Sequence, residues 1–150
     1  MKFTQFRIAA GIAVMAVSLM AGAIPISAQN GRTGQLHIVK DCASGAYCQI
    51  VTSNLPELPA GTRIYYNQPT GGPTAGKGFL DSTVFVYLSE SQWAVGRCTL
   101  SHATFTGLCT LSDGVGPLAG FSARVVVAYK PGGSGALFSW EGTYRSDPTP

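Results

Sequence analysis

Cys42, Cys48, Cys98 and Cys109 have the most versatile side chains here, since a thiolate can hold a metal, attack a carbonyl or exchange disulfides. Each role has its own spacing. No C-x-x-C occurs, and neither His37 nor His102 stands at ligand spacing, which argues against a metal site and against a redox or catalytic thiol. An even count in a short chain points instead to two disulfides, with three connectivities open. Local pairs fit best. A hairpin centred on Ala103-Thr104 would set Cys98 opposite Cys109, and Cys42 and Cys48 bracket the short Ala43-Ser44-Gly45-Ala46 connection.

Other constellations carry less. The stretch from Gly71 to Lys77 fits G-x-x-x-x-G-K, but a phosphate loop needs Ser or Thr next, for Mg²⁺, and then a helix. Gly78 takes that place and the strand-like Phe79-Leu80 follows, so a flexible loop is expected. Ser101-His102 lacks the G-x-S-x-G frame that braces a hydrolase nucleophile, and reads as turn decoration. His37 reads as an ordinary strand histidine. The carboxylates of Glu57, Asp81, Glu90, Asp113 and Glu141 fall on different loops and strands, with nothing to make two of them share a cleft.

These residues are delivered by a chain made for export. Lys2 and Arg7 precede an apolar stretch from Ile8 to Met20, and Pro25 and Ile26-Ser27-Ala28 close it. A basic end, a short apolar core and a small-residue exit make residues 1–28 a signal peptide, with cleavage expected after Ala28 and Ala23 as the second choice. Export to the periplasm or the extracellular space is the expected localisation. Removal leaves 122 of the 150 residues, enough for one domain over 29–146, with 147–150 expected as a disordered tail. It also takes two of the ten cations, leaving eight against seven acids. Eight scattered cations make no footprint for nucleic acid and no patch for a membrane.

In the exported part, short runs rich in Val, Ile, Thr and aromatics alternate with Gly/Pro/Ser/Asn clusters, the pattern of an all-β domain. Strands are expected at 34–40, 47–53, 62–68, 79–89, 93–101, 107–112, 121–130 and 136–145. Phe121, Ala123, Val125, Val127 and Tyr129 share one face of the seventh, opposite Arg124; Phe138, Trp140 and Tyr144 share one face of the last, opposite Glu141. Residues 54–61 read as a stiff loop around Pro56 and Pro59, and 69–78 as a long Gly/Pro/Thr loop. The expected architecture is a single antiparallel eight-stranded barrel, with a two-sheet β-sandwich as the alternative.

From Gly96 to Tyr144 the chain carries Gly96-Arg97-Cys98-Thr99-Leu100, Gly107-Leu108-Cys109-Thr110-Leu111, the turn Asp113-Gly114-Val115-Gly116-Pro117-Leu118-Ala119-Gly120-Phe121, and Trp140-Glu141-Gly142-Thr143-Tyr144. It resembles small exported bacterial proteins of no assigned activity and, more distantly, the allene oxide cyclase and dirigent-like barrels. Gly114, Gly116, Leu118, Ala119 and Gly120 follow the glycine-rich turn of those families. Asp113 and Val115 replace its first Gly and its Thr, and Ser122-Ala123 replace the usual Arg-Gly. The glycines suit a sharp corner needing positive φ and close backbone approach. The resemblance implies a barrel holding a small apolar molecule; it transfers no catalytic residue, because the matching positions are turn glycines.

The expected function is therefore non-catalytic, a binding or structural role with no cofactor and a small apolar molecule as the partner. The alternative is a cyclase- or isomerase-like barrel. In either case Tyr87, Tyr129, Trp140 and Tyr144 are the candidate cavity-lining residues, with Arg124 or Glu141 as the ionisable partner. The exported protein is expected to begin at Gln29. N-terminal sequencing of material from the periplasm or medium checks this, and an intact Met1 start in a membrane fraction would overturn it.

Overall fold

The computed structural model describes residues 31–68, 78–132 and 136–147. The signal peptide expected over 1–28, the Gly71–Lys77 motif and residues 148–150 lie outside the described residues. Eight strands follow in order: β1 (Arg32–Asp41), β2 (Cys48–Ser53), β3 (Arg63–Tyr66), β4 (Phe79–Ser89), β5 (Gln92–Ser101), β6 (Thr106–Val115), β7 (Phe121–Tyr129) and β8 (Leu137–Ser146). Each pairs antiparallel with the next, and β1 pairs with β8, so the sheet is a closed barrel rather than a sandwich. The closing seam runs from Arg32 opposite Ser146 to Asp41 opposite Leu137. The sheet therefore presents no edge, which removes the unpaired N–H and C=O rows that invite aggregation.

Closure turns strand alternation into inside and outside. Leu36, Ile38, Ile50, Ile64, Val84, Val86, Leu111, Val125 and Trp140 point inward and are almost fully buried. Branched side chains dominate because an eight-stranded barrel is only wide enough for side chains to fill. The connections β2–β3, β4–β5 and β6–β7 gather at one end of the barrel. There Leu55 and Leu58, from the 54–61 loop, and Leu118, from a short 3₁₀ turn (Gly116–Leu118), join the core. The other end receives β1–β2, β3–β4, β5–β6 and β7–β8.

Strand limits move by a few residues from expectation. β3 is only four residues long because Thr62 is drawn into the preceding turn, its N–H donating to Pro59 O at 3.2 Å. β6 runs on to Val115 because a bulge opposite Val95/Gly96 lets Asp113–Val115 pair with Val95–Trp93. Asp147, the first residue of the expected tail, donates its N–H to Gly120 O at 3.0 Å and accepts from Arg145 Nε at 2.6 Å.

Both disulfides are local: Cys42–Cys48 and Cys98–Cys109, the latter pair directly opposite across β5 and β6. The 113–120 corner uses glycine as its sequence suggests, with φ of +66° at Gly116 and +72° at Gly120. Two further glycines sit at inward positions where the sheet bends most sharply. A Cβ on Gly96 would lie 1.8 Å from Thr110 O, and one on Gly142 would lie 2.1 Å from Arg124 O. Neither obstacle is a side chain that could swing aside, so these glycines permit the curvature that closure needs. Gly96→Ala is expected to destabilise the barrel by about 3 kcal/mol, the upper range for overpacking. Gly45→Ala, at φ +72° in open space, should cost only about 1–2 kcal/mol. Urea titration with disulfides intact checks the contrast.

Candidate ligand site

A cavity of about 550 Å³ opens at the end of the barrel that carries the β1–β2 and β5–β6 connections. Its walls are mostly apolar: Leu80, Leu100, Val127 and Phe138, together with both disulfides. Aromatic rings frame it. Phe105 and Tyr129 lie 5.9 Å apart between centroids, and Tyr129 meets Phe138 edge-on at 5.5 Å. Phe105 adopts φ +51°, a left-handed conformation uncommon away from glycine, and is the last residue of the β5–β6 turn. Its N–H donates to Ser101 O and its carbonyl accepts from Tyr129 N, which fixes the ring beside the cavity.

The polar end of the cavity is Lys40. Alternation along β1 points Leu36, Ile38 and Lys40 into the barrel, and a β1–β2 register shift falls between Val39 and Lys40. The side chain is 2% exposed. Its ammonium donates to Tyr66 Oη and lies 4.8 Å from the Tyr66 ring centroid and 4.4 Å from that of Trp140. Among the described residues lining the cavity none carries a carboxylate. Burial without a counter-ion pushes the Lys40 pKa down from 10.5 to about 7. The two ring faces favour the ammonium and work against that shift, but an aromatic face is a weaker partner than an acid. Burial likewise pushes the Tyr66 hydroxyl well above the usual tyrosine range. The indole Nε1 of Trp140 is also buried, without a hydrogen-bond partner among the described residues.

Of the six residues proposed from sequence, three point inward. Tyr129 lines the cavity, and Trp140 packs beneath the Lys40 amine. Tyr144 points inward at the opposite end, stacked on Phe121 at 6.1 Å and away from the cavity. The other three, Tyr87, Arg124 and Glu141, belong to the outer wall. Arg124 is exposed between inward Ala123 and Val125, and Glu141 pairs with His37 Nδ1 outside the barrel. Tyr87 joins an outer aromatic row, 6.5 Å from Tyr65 and 5.9 Å from Phe85. Among the described residues the buried charged side chain is Lys40, a position that the sequence analysis did not single out. Its signal was present: Lys40 continues the Leu36, Ile38 parity at a position where a surface lysine would change faces. A second, more open groove is lined by hydroxyls of Thr33, Thr110, Ser122 and Thr143 with Arg124 and Arg145, and has no lining carboxylate.

The site thus combines a mostly apolar chamber with one amine, the hydroxyl-bearing Tyr66, Thr99 and Tyr129 and, among the described residues, no acid, suited to an apolar molecule with one acceptor or acidic end. Among the described residues no group of three or more His, Cys, Asp and Glu could hold a metal. Comparison with protein-family models, curated proteins and solved structures finds no match.

Lys40 makes stability depend on pH in a definite direction. Between about pH 7 and 10.5 the unfolded chain keeps a proton on this amine that the folded barrel sheds. Stability therefore rises with pH through that window, by at most about 1.4 kcal/mol per unit, and is lowest below pH 7. The raised Tyr66 pKa acts in the opposite sense and only above its unfolded value, near pH 10. Urea midpoints from pH 6.5 to 9.5 should climb in the native protein. In Lys40→Met the profile should be flatter and the midpoint at pH 7 higher; an unchanged slope would show that Lys40 is not its source.

Proposed function

We propose that this chain is an exported binding protein whose barrel holds a small apolar molecule with a single acidic or hydrogen-bond-accepting end. The observation that carries the reading is Lys40 at the polar end of a cavity of about 550 Å³, within the size range of small-molecule sites. Export is supported by the layout of residues 1–28 and is compatible with two disulfides, which persist in oxidising compartments. The resemblance to allene oxide cyclase and dirigent-like barrels points the same way, toward an apolar guest.

A second reading, a cyclase- or isomerase-like enzyme, is favoured by one feature. Buried Lys40 and half-buried Tyr66 form an adjacent pair of groups with displaced pKa values, an arrangement common where protons are moved. Binding alone needs fewer assumptions, because it asks only for an apolar chamber with a polar end and for no chemical step.

Calorimetric titration of the folded protein with decanoate and with decanol tests the binding reading. Both are expected to bind at one site. Lys40→Met should weaken decanoate about tenfold or more, the loss of a charge-assisted hydrogen bond, while decanol changes little. Leu100→Trp, which fills the chamber, should abolish both. Binding of neither ligand to the native protein, or equal binding to Leu100→Trp, would overturn the reading.

A further inference from the structure

The Lys40 amine is unusual in three ways that together suggest reactivity. It stands at the end of an open chamber, so a small molecule has a path to it. Its hydrogen bond goes to a hydroxyl, Tyr66 Oη, and not to a carboxylate that would hold it as an ammonium. The surrounding walls are apolar, which favours the neutral amine over the charged one. A neutral, desolvated amine is the nucleophile that attacks carbonyl carbon.

We propose that Lys40 captures an apolar aldehyde as an imine, with Tyr66 relaying the proton. The inference rests on the ligand-binding reading above and adds a covalent step to it. The Nζ lone pair adds to the carbonyl carbon as the C=O π pair moves onto oxygen. That oxygen takes the Tyr66 proton, and Tyr66 recovers one from the nitrogen, leaving a neutral carbinolamine. The nitrogen lone pair then forms the C=N bond as the C–O bond breaks. The departing hydroxyl takes a second proton from Tyr66, which regains the last proton on nitrogen. The two protons of the amine thus leave on the aldehyde oxygen as water, and no oxidant or reductant is consumed. Aldehyde is the class favoured because the reacting carbon must meet an amine 2% exposed, where a second substituent on that carbon would crowd it. Apolar is the class favoured because the chamber offers Leu80, Leu100, Val127 and Phe138 to the rest of the molecule.

The pH dependence should mark this amine. Burial holds its pKa near 7, so the reactive form is already abundant at neutral pH. The groups that face it or adjoin it are few. Tyr66 on β3 is neutral throughout the working range, Tyr129 on β7 lies toward the mouth, and Asp41 is engaged by the Ala43 N–H at 2.9 Å. Lys77 and Lys130, the other lysines after residue 28, serve as internal references.

The folded protein, disulfides intact, is incubated with nonanal and sodium cyanoborohydride at pH 7.5, and adducts are located by intact mass and peptide mapping. One nonyl adduct is expected, at Lys40, forming at least tenfold faster than at Lys77 or Lys130. Its pH profile, measured with the hydride concentration held saturating, should flatten above about pH 7. Tyr66→Phe should slow the adduct without moving it to another lysine, and glyoxylate, a polar aldehyde of charged character, should be trapped far less. Equal labelling of all three lysines would overturn the proposal. Decanol titration of the same sample separates the two readings. Decanol binding without a Lys40 adduct refutes imine capture alone, and absence of both refutes the chamber as a ligand site.

Discussion

Everything inside this molecule depends on the pairing of β1 with β8. Those strands lie at opposite ends of the described chain, and their ladder from Arg32–Ser146 to Asp41–Leu137 converts a curved meander into a tube. Without it, one face of the sheet would be apolar and exposed, and the chamber would be a trough open to water. With it, alternation decides burial for each strand at once. The inward glycines at 96 and 142 serve the same end, since closing eight strands demands bends at which a methyl group would strike the neighbouring backbone.

Burying Lys40 is the main energetic anomaly in that tube. An amine without a carboxylate partner costs the folded state free energy that a methionine or leucine of similar length would not, and the barrel tolerates it beside Tyr66 and Trp140. Destabilising groups of this kind concentrate where a protein binds or reacts. At the opposite end no lysine or arginine is buried among the described residues. There Leu55, Leu58, Leu118 and Phe121 are packed with aliphatic and aromatic neighbours in the common core. One end of the barrel is closed by apolar packing, and the other opens into the chamber beside Lys40.

The strands were legible in the sequence because their information is local. The alternation of 121–129, the glycines of 113–120 and the Cys98–Cys109 hairpin each involve residues within about a dozen positions, where turn chemistry and period-two patterning act directly. Barrel closure was legible only as one of two options, since a sandwich of hairpins uses the same local pattern. The direction of β4 was the harder matter. Phe85 and Tyr87 lie on one face, Val84 and Val86 on the other, and both faces are apolar. Size suggests the aromatics for the interior, but a narrow tube takes the smaller branched residues and leaves the rings to pack on one another outside. Lys40 was overlooked for a related reason: charge is normally read as surface, whereas its parity with Leu36 and Ile38 was the better guide.

The two disulfides bear on the order in which this barrel assembles. Each joins cysteines only 6 or 11 positions apart, across a single connection, whereas the β1–β8 seam joins residues about a hundred positions apart. Short loops close orders of magnitude faster than distant strands find each other. Each bridge can therefore form on an isolated hairpin, with the correct partner already nearest, before any tube exists. Oxidation would then neither wait for closure nor trap a wrong crossing between the two halves. What is then left to the chain is a single long-range event, the meeting of its first and last strands.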